Sequence, residues 1–388
     1  MKSVRLPLGL LGLALLTACA GEYPQSSISP TTDFADTIHG LYVTIFWWTM
    51  LILTGVWIVL AYILVKFRER PDSPKPKQIH GHLGMEIAWT IGPALIVVAI
   101  AIPTIQAVFA TQEVPEESLV VEVIGHQYWW EFRYPENGGL VTANELHIPM
   151  GTPVSLRIHS DDVIHSFWVP QLGGKRDANP LRQVPEGQDL KYNWIHFTAQ
   201  ETGTFMGQCA EFCGDSHSLM GIRVIVETQE EFDAWLGDLA AGHPQTVTQS
   251  QALNATTEGL PAPTAPALAQ EETGQEEAPP AEDPGTVEGR NLFLANCSAC
   301  HAINGVSEAG VIAPNLTLLG RRSSIAAGLL ENNVDNLVRW IGDPQSVKPG
   351  ALMPGLEYQG GRPPVVWPAF NLTPDQVRTV ANYLYSLR

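Results

Sequence analysis

The residues of this sequence best suited to chemistry are its five cysteines, Cys19, Cys209, Cys213, Cys297 and Cys300. The first closes an apolar leader, the next two lie in the segment CAEFCGDSHSLM, and the last two lie in CSACH. Thiolates are nucleophiles and soft metal ligands. The three settings therefore predict a lipid anchor, a soft-metal site and a covalently attached haem.

The segment that begins at Cys209 has the spacing Cys-x3-Cys-x3-His-x2-Met and ends with His217 and Met220. Two thiolates, an imidazole and a thioether favour copper, whereas zinc sites seldom recruit methionine. A Cys209–Cys213 disulfide is the main alternative in an oxidising compartment. A second imidazole would complete the site, and His165 in DDVIHSFWVP is the best candidate. The other available histidines are His147, His159 and His196.

The CSACH segment has the pattern of c-type haem attachment, in which two thiols form thioethers to the haem and the adjacent histidine ligates the iron. Cys297, Cys300 and His301 would take these roles. Met353, in VKPGALMPG, is the only methionine after Met220 and is predicted to be the sixth iron ligand. Histidine–methionine ligation raises the haem potential, as electron-transfer cytochromes require.

The N-terminus predicts a signal peptide over residues 1–19, because Lys2 and Arg5 precede a short apolar stretch. The ending LTAC resembles a bacterial lipoprotein box, which predicts lipidation of Cys19. The alternative is ordinary signal cleavage with Cys19 left unmodified or removed.

Two uncharged stretches, Gly40–Val65 and Ile87–Gln112, predict a transmembrane helical hairpin over residues 38–112. Each exceeds the ~20 residues that a helix needs to cross a bilayer. The short connector is rich in lysine and arginine, which predicts that it is cytoplasmic. Both ends of the hairpin, and all that follows, would then lie outside the cytoplasm.

Residues 113–240 predict a small β-sandwich or barrel. Short runs such as Leu119–Val123, Val154–Ile158 and Ile222–Val226 alternate apolar and polar side chains between turn residues. Glu230–Leu239 predicts a short closing helix.

Residues 241–285 predict a linker, because Pro, Ala, Gln, Thr and Glu dominate the stretch. Its acidic residues contribute to a formal net charge of −18. That charge argues against nucleic-acid binding and favours attraction to a basic partner.

Residues 286–388 predict a second, mainly helical domain. Its last helix has a clear start, with Thr373 as N-cap, Pro374 in the first helical position and Asp375 in the first turn.

The segments GHQYWWEF, VIHSFWVPQLGGKRDANP and CAEFCGDSHSLM together resemble subunit II of the haem–copper cytochrome c oxidases. The resemblance spans about residues 40–239. It implies a cupredoxin-like β-barrel that holds a dinuclear copper centre, CuA.

The resemblance also assigns copper ligands by position. It implies that Cys209 and Cys213 bridge both coppers, with His165 and His217 each binding one copper. Met220 would be a weak ligand on one side. The Glu211 carbonyl would be a weak ligand on the other side, and its side chain would bind magnesium or manganese at the contact with subunit I.

The same family suggests roles for an acidic residue and an aromatic run. Glu86 stands where the family has a carboxylate near a proton path into subunit I, although an ordinary interfacial charge is the alternative. Electrons enter such domains at the first aromatic residue of the run, usually tryptophan. Here that position is Tyr128, followed by Trp129 and Trp130.

Residues 289–388 resemble an all-α class I cytochrome c, through GRNLFLANCSACH, APNLT, KPGALMPG and a closing helix. The resemblance implies that the Pro314 carbonyl orients the imidazole of His301. The predicted protein is therefore multidomain: a two-helix transmembrane hairpin, a cupredoxin-like β-barrel and a cytochrome c domain.

These resemblances imply subunit II of a caa-type oxidase that passes electrons from haem c through CuA to subunit I, where oxygen is reduced. Expected partners are subunits I and III, and a cytochrome c or a cytochrome bc-type complex as donor. The expected location is the bacterial inner membrane, with both redox domains on the periplasmic face. The alternatives are the electron-input subunit of a CuA-containing nitric oxide reductase, and a periplasmic copper-binding or storage protein. Quinol oxidase subunits share the fold but lack the copper ligands, and this alternative is ruled out because those ligands are all present.

Overall fold

A computed structural model describes residues 23–68, 78, 80–181, 192–241, 284–362 and 365–388. The predicted signal peptide with Cys19 and nearly all of the predicted linker lie outside the described residues.

Two long apolar helices open the described chain, α1 (Asp33–Lys66) and α2 (Leu83–Ala110). Both are long and apolar enough to cross a membrane, and their most apolar windows are not buried against protein. Pro93 and Pro103 lie within α2 without ending it, as is tolerated in membrane helices. The predicted hairpin is present.

The start of α1 is built into the β domain. Thr32 is the N-cap, its hydroxyl accepting a hydrogen bond from the Ala35 amide and donating one to the Leu172 carbonyl. Phe34 belongs to the β-domain core, where its ring lies against Gly173. A Cβ at Gly173 would overlap this ring, so the glycine permits the docking of the helix.

The β domain is a sandwich of two five-stranded sheets. The first sheet has the strand order β3-β2-β1-β5-β8, formed by β1 (Leu119–His126), β2 (Trp129–Tyr134), β3 (Leu140–Ala143), β5 (Pro153–Ser160) and β8 (Asn193–Thr198). The second has the order β4-β10-β9-β6-β7, formed by β4 (Glu145–Pro149), β6 (His165–Trp168), β7 (Arg176–Ala178), β9 (Gly203–Cys209) and β10 (Gly221–Glu227). All three predicted strands are present, and α3 (Gln229–Ala241) is the predicted closing helix.

The core lies between the two sheets, because alternate side chains of each strand point inward. β10 shows this most regularly, with Ile222, Val224 and Val226 buried and the residues between them half-buried. Trp130 and Phe132 of β2 meet Phe167 of β6 edge to face across the core. The β5 strand pairs in parallel with β1 and antiparallel with β8.

The C-terminal domain surrounds a cavity with helices and short strand pairs. Its helices are α4 (Pro284–Asn296), α5 (Val334–Gly342), α6 (Pro344–Val347) and α7 (Pro374–Ser386). Its strands are β11 (His301–Ile303), β12 (Ser307–Val311), β13 (Ser324–Ile325), β14 (Leu330–Glu331), β15 (Gly360–Arg362) and β16 (Val365–Trp367). The sequence analysis did not predict these strands.

Helices α4 and α7 pack closely because Gly289 has no side chain. A Cβ there would lie 2.4 Å from the Cβ of Tyr383 and 2.9 Å from the Thr379 carbonyl oxygen. The start of α7 is as predicted, with Thr373 as N-cap and Pro374 in the first turn. Gln376 adds a capping box that the sequence analysis did not name.

Candidate metal centre and haem cavity

The predicted copper ligands converge at one end of the second sheet. His165 is the first residue of β6, and Cys209 is the last residue of β9. Antiparallel pairing places Phe167 opposite Cys209, which brings the start of β6 to the end of β9. Cys213, His217 and Met220 follow in the loop between β9 and β10, a segment that we call the copper loop (residues 210–220).

The sulfur and nitrogen atoms of these residues form one cluster. The Sγ atoms of Cys209 and Cys213 lie 3.9 Å apart. The Nδ1 of His165 lies 3.8 Å from Sγ of Cys209, and the Nδ1 of His217 lies 3.7 Å from Sγ of Cys213. The Met220 Sδ lies 4.0 Å from Sγ of Cys213. The structure thus brings all five predicted side-chain ligands together.

The spacing of the two sulfurs fits metal binding and not a disulfide. A disulfide needs about 2.05 Å between sulfurs, and both cysteines are free. Since metal–thiolate bonds are about 2.3 Å long, sulfurs 3.9 Å apart can both bind one metal ion between them. The Glu211 carbonyl oxygen lies 3.3 Å from Sγ of Cys209, beside the same cluster. The donor set suits copper.

Asp162 prepares His165 for ligation. Its Oδ1 lies 2.8 Å from Nε2 of His165, whereas Nδ1 faces the cysteine sulfur. A carboxylate at Nε2 holds the ring proton there and leaves the Nδ1 lone pair for a metal. Burial disfavours the charged ring, yet the hydrogen bonds and charges of Asp162 and Cys209 together outweigh burial and raise the pKa of His165.

The thiols of Cys209 and Cys213 influence one another's ionisation through their contact. The hydrogen bond with Cys213 lowers the pKa of Cys209, and the same contact raises the pKa of Cys213. The Sγ of Cys209 also lies within reach of the ring of His165. A metal ion would bind both sulfurs as thiolates, because ligation requires the deprotonated form.

Neighbouring residues hold the copper loop rigid. The Gln127 side-chain amide donates to the Cys213 carbonyl at 2.5 Å. The Asp215 amide donates to the Tyr128 hydroxyl at 2.9 Å. On β1, Gly125 lies against the ring of His165, and a Cβ there would lie 2.7 Å from Cδ2 of that ring. Only glycine fits this position.

The other histidines considered from sequence lie elsewhere. His147 pairs with Glu227 and stacks on Trp235. His159 lies 3.8 Å from a Glu122 oxygen, and Nδ1 of His196 bonds to Ser155. Among the described residues, His165, Cys209 and Cys213 are the group of histidine, cysteine and carboxylate side chains that could hold a metal ion.

The C-terminal domain encloses a cavity of about 510 Å³ lined by Cys297, Cys300, His301 and Met353. The predicted contact of His301 is present, since its Nδ1 donates to the Pro314 carbonyl at 2.8 Å. This bond leaves Nε2 as the available ligand atom. Burial lowers the pKa of His301, which favours the neutral ring that binds iron.

The cavity also suits the carboxylates that a haem carries. Arg322 lines it and donates to the Asn315 carbonyl at 2.5 Å. Burial lowers the pKa of Arg322 to about 10, which leaves the guanidinium charged at neutral pH. The donor set and the apolar lining together fit haem c.

One wall of the cavity comes from the β domain. Gln127, Tyr128, Trp129 and Asn144 line it together with residues of the C-terminal domain. Two of the three predicted aromatic residues, Tyr128 and Trp129, therefore face the predicted haem site. Trp130 is buried in the sandwich core, with its ring 5.8 Å from that of His165.

Glu86 lies apart from both sites. It occupies the first turn of α2, and a helix of 28 residues spans about 42 Å. The β domain follows the opposite end of that helix.

Sequence reasoning missed several residues at the sites. Asp162 could have been found, because a carboxylate three residues before the predicted histidine ligand is a plausible hydrogen-bond partner. Gly125 carried no such signal, since its role depends on packing between strands of different sheets. Lys348, which donates to the Tyr128 carbonyl at 2.5 Å, depends on how the two domains meet.

Three known protein-family descriptions match separate parts of the chain. The transmembrane domain of cytochrome c oxidase subunit II matches residues 19–107, and the periplasmic domain matches residues 137–228. Cytochrome c matches residues 286–388. Cytochrome c oxidase subunit 2 of Alkalihalophilus pseudofirmus is 36% identical over 357 residues, which cover 90% of this chain and 90% of that protein. The chain belongs to the cytochrome c oxidase subunit II family.

A second relative and a solved structure have related descriptions. Cytochrome c oxidase subunit 2 of Bacillus sp. (strain PS3) is 31% identical over 401 residues, covering 97% of this chain and 95% of that protein. The crystal structure of the periplasmic domain of subunit II of cytochrome oxidase of Bradyrhizobium japonicum is 30% identical. The match covers 33% of this chain and 98% of the Bradyrhizobium japonicum domain, with a TM-score of 0.30.

Family membership confirms several predictions for this subunit II chain. The predicted hairpin, cupredoxin-like domain and cytochrome c domain are those of the family, which implies CuA copper and haem c. The two apolar helices and the family match indicate a membrane protein with a periplasmic domain.

Proposed function

We propose that this chain receives electrons at haem c and relays them through CuA to subunit I of a terminal oxidase, where oxygen is reduced to water. The observation that carries the proposal is the pair of donor sets within one chain, one at the copper loop and one in the C-terminal cavity. Neither set offers an obvious place for oxygen chemistry, which suits a relay.

The residues proposed to hold copper are Cys209, Cys213, His165, His217 and Met220, with the Glu211 carbonyl. These residues would hold copper that supplies one-electron chemistry, with the two thiolates as its soft ligands. The protein's contribution is to keep the donors in place. Asp162 orients His165, and the hydrogen bonds of Gln127 and Tyr128 fix the copper loop.

The residues proposed to hold haem c are Cys297 and Cys300, through thioether links, with His301 and Met353 as ligands to the iron. Haem c would supply one-electron chemistry there. The Pro314 carbonyl fixes the ring of His301, and Arg322 supplies positive charge within the cavity. Tyr128 and Trp129 belong to the wall that the β domain contributes to the haem cavity. They are proposed as the route by which electrons enter the copper domain, which is the β domain with its copper loop.

The remaining expectations complete the proposal. The Glu211 side chain would bind magnesium or manganese at subunit I, and Glu86 would lie near a proton path into that subunit. Subunit III and a cytochrome c or a cytochrome bc-type donor would complete the chain of partners. The protein would be lipidated at Cys19 after signal cleavage and would reside in the bacterial inner membrane.

The test is Cys209→Ser in the intact oxidase, with reoxidation of haem c by oxygen followed optically. We expect the rate to fall at least about 100-fold, because losing a bridging ligand should exceed the 10–100-fold cost of losing an outer partner. The control is Ser218→Ala, an exposed change in the same copper loop, which should leave the rate unchanged. Reoxidation at the wild-type rate in Cys209→Ser would contradict the relay.

A further inference from the structure

The contact between the C-terminal domain and the β domain centres on Glu145, the first residue of the edge strand β4. Its side chain is buried, with the residue 2% exposed. One carboxylate oxygen accepts from the Ser323 amide at 3.0 Å, the Ser323 hydroxyl at 2.5 Å, the Ser324 amide at 3.1 Å and the Ser324 hydroxyl at 3.2 Å. The carboxylate of one domain thus binds four donors of the other.

Contacts on both sides of Glu145 extend the interface. On β10, the Gly221 amide donates to the Ala327 carbonyl at 3.1 Å. Arg223 donates to the Ser323 hydroxyl at 2.7 Å. A Cβ at Gly221 would lie 2.7 Å from the Ala327 oxygen, so this approach requires glycine. The hairpin formed by β13 and β14 is therefore seated on the end of the second sheet.

A second group of contacts joins the same domains at the copper loop. Lys348 is buried and donates to the Tyr128 carbonyl at 2.5 Å. Ser216 donates to the Pro349 carbonyl. Tyr128 thereby touches Lys348 through its carbonyl and the Asp215 amide through its hydroxyl. This residue connects the wall of the haem cavity to the copper loop.

We propose that the bond of Glu145 to Ser323 and Ser324 docks the C-terminal domain on the copper domain, and that Glu145 is a positioning residue for electron transfer between them. The proposal rests on the relay function given above and specifies how the two domains are positioned for electron transfer. A tethered domain without such a contact would transfer electrons by repeated collision at the effective concentration that its linker sets. A docked domain transfers them as a first-order step from one fixed arrangement.

Burial and four bonds to one carboxylate oxygen make Glu145 a strong contact of the interface. Removing one partner of a buried charged hydrogen-bond network leaves the other donors unsatisfied, which costs far more than losing an exposed pair. Arg321 and Asp238 also join the two domains, but both side chains are substantially exposed. Exposed pairs contribute little and are screened by salt.

The first test is hydrogen–deuterium exchange on the full chain in detergent, with haem and copper bound. In Glu145→Ala, the amides of Ser323 and Ser324 should lose protection and exchange at least about tenfold faster. Glu145→Gln keeps an acceptor oxygen and should restore part of the protection. Glu227→Ala is the matched control, because it removes a carboxylate that bonds to His147 within the copper domain, and it should change nothing at these amides.

The second test is the rate at which electrons leave photoreduced haem c for copper in the same samples. We expect a wild-type rate independent of protein concentration and of salt, and a fall of at least about tenfold in Glu145→Ala with partial recovery in Glu145→Gln. The haem and copper spectra and their reduction potentials should stay unchanged, which separates positioning from damage to either site.

The outcomes distinguish this proposal from the relay itself. Unchanged exchange in Glu145→Ala would overturn the docking contact. Faster exchange with an unchanged transfer rate would overturn the positioning role. Absence of any transfer from haem to copper in the wild type would overturn the relay function and with it the positioning role, while the exchange measurement would still decide the docking.

Discussion

At the scale of single residues, Asp162 is predicted to raise copper affinity through His165. Asp162→Ala should weaken copper binding by about 10–100-fold, because the ring loses the partner that keeps its proton on Nε2. Asp162→Asn keeps an acceptor oxygen, so its copper affinity should lie between that of the wild type and that of Asp162→Ala. Chelator competition measures the affinity, and Asp161→Ala, an exposed neighbour, is the control. Equal affinity in Asp162→Ala and the wild type would refute this role.

The buried side chain of His159 is expected to make the folded protein less stable at acidic pH. Burial, together with the charges of Arg133 and Arg157, lowers the pKa of His159 to about 4 from its usual value of 6.5. The unfolded chain therefore binds the proton first, and stability is lost as pH falls below about 6.5. Between pH 7 and pH 5 this histidine should cost about 2 kcal/mol of unfolding free energy.

The measurement is denaturant unfolding of the full chain and of His159→Gln at both pH values. The wild type should lose about 2 kcal/mol more than the variant on acidification. A difference between the two proteins that does not change with pH would show that His159 keeps its ordinary pKa.

Residue types and spacing predicted most of the copper site. Cys209, Cys213, His217 and Met220 lie within one short segment, so the ligand pattern is local. His165 lies 44 residues before Cys209, and residue reasoning alone left three other histidines open. The pairing of β6 with β9 decides among them, and pairing register is a property of the folded sheets.

At the scale of elements, β1 is predicted to leave room for the histidine ligand through Gly125. Gly125→Ala would place a Cβ 2.7 Å from the ring of His165, which must shift because the ring is fully buried. We expect copper content to fall well below that of the wild type while the sandwich remains folded. Gly237→Ala in α3 is the control, since a Cβ there meets nothing within 4 Å.

Copper content by metal analysis, with circular dichroism as the check on folding, decides this prediction. Full copper occupancy in Gly125→Ala would contradict this prediction, because it would show that the ring of His165 can bind copper beside an alanine side chain.

The elements themselves were largely predictable. Alternating apolar residues gave three strands of the sandwich, and the capping pattern at Thr373 gave the start of α7. The strands of the C-terminal domain were missed because pairs of only two to five residues carry little periodic signal. The docking of Phe34 against Gly173 was also missed, because the sequence marks α1 only as an apolar helix.

At the scale of the whole molecule, the sequence predicted the domains but not their arrangement. The composition of residues 241–285 contains no pattern that predicts how the two domains meet. The arrangement depends on Glu145, Ser323 and Ser324, whose patterns are ordinary in sequence. The interface places the predicted haem cavity against Tyr128, and so gives a physical reason for the fusion of the two domains.

The proposed relay needs a dinuclear copper centre that receives electrons within this chain. Electron paramagnetic resonance of the oxidised, copper-loaded full chain in detergent decides whether that centre forms. We expect hyperfine structure from one unpaired electron shared equally by two coppers, and its absence in Cys209→Ser. A signal from a single copper, or a Cys209–Cys213 disulfide without copper, would rule out the proposed relay.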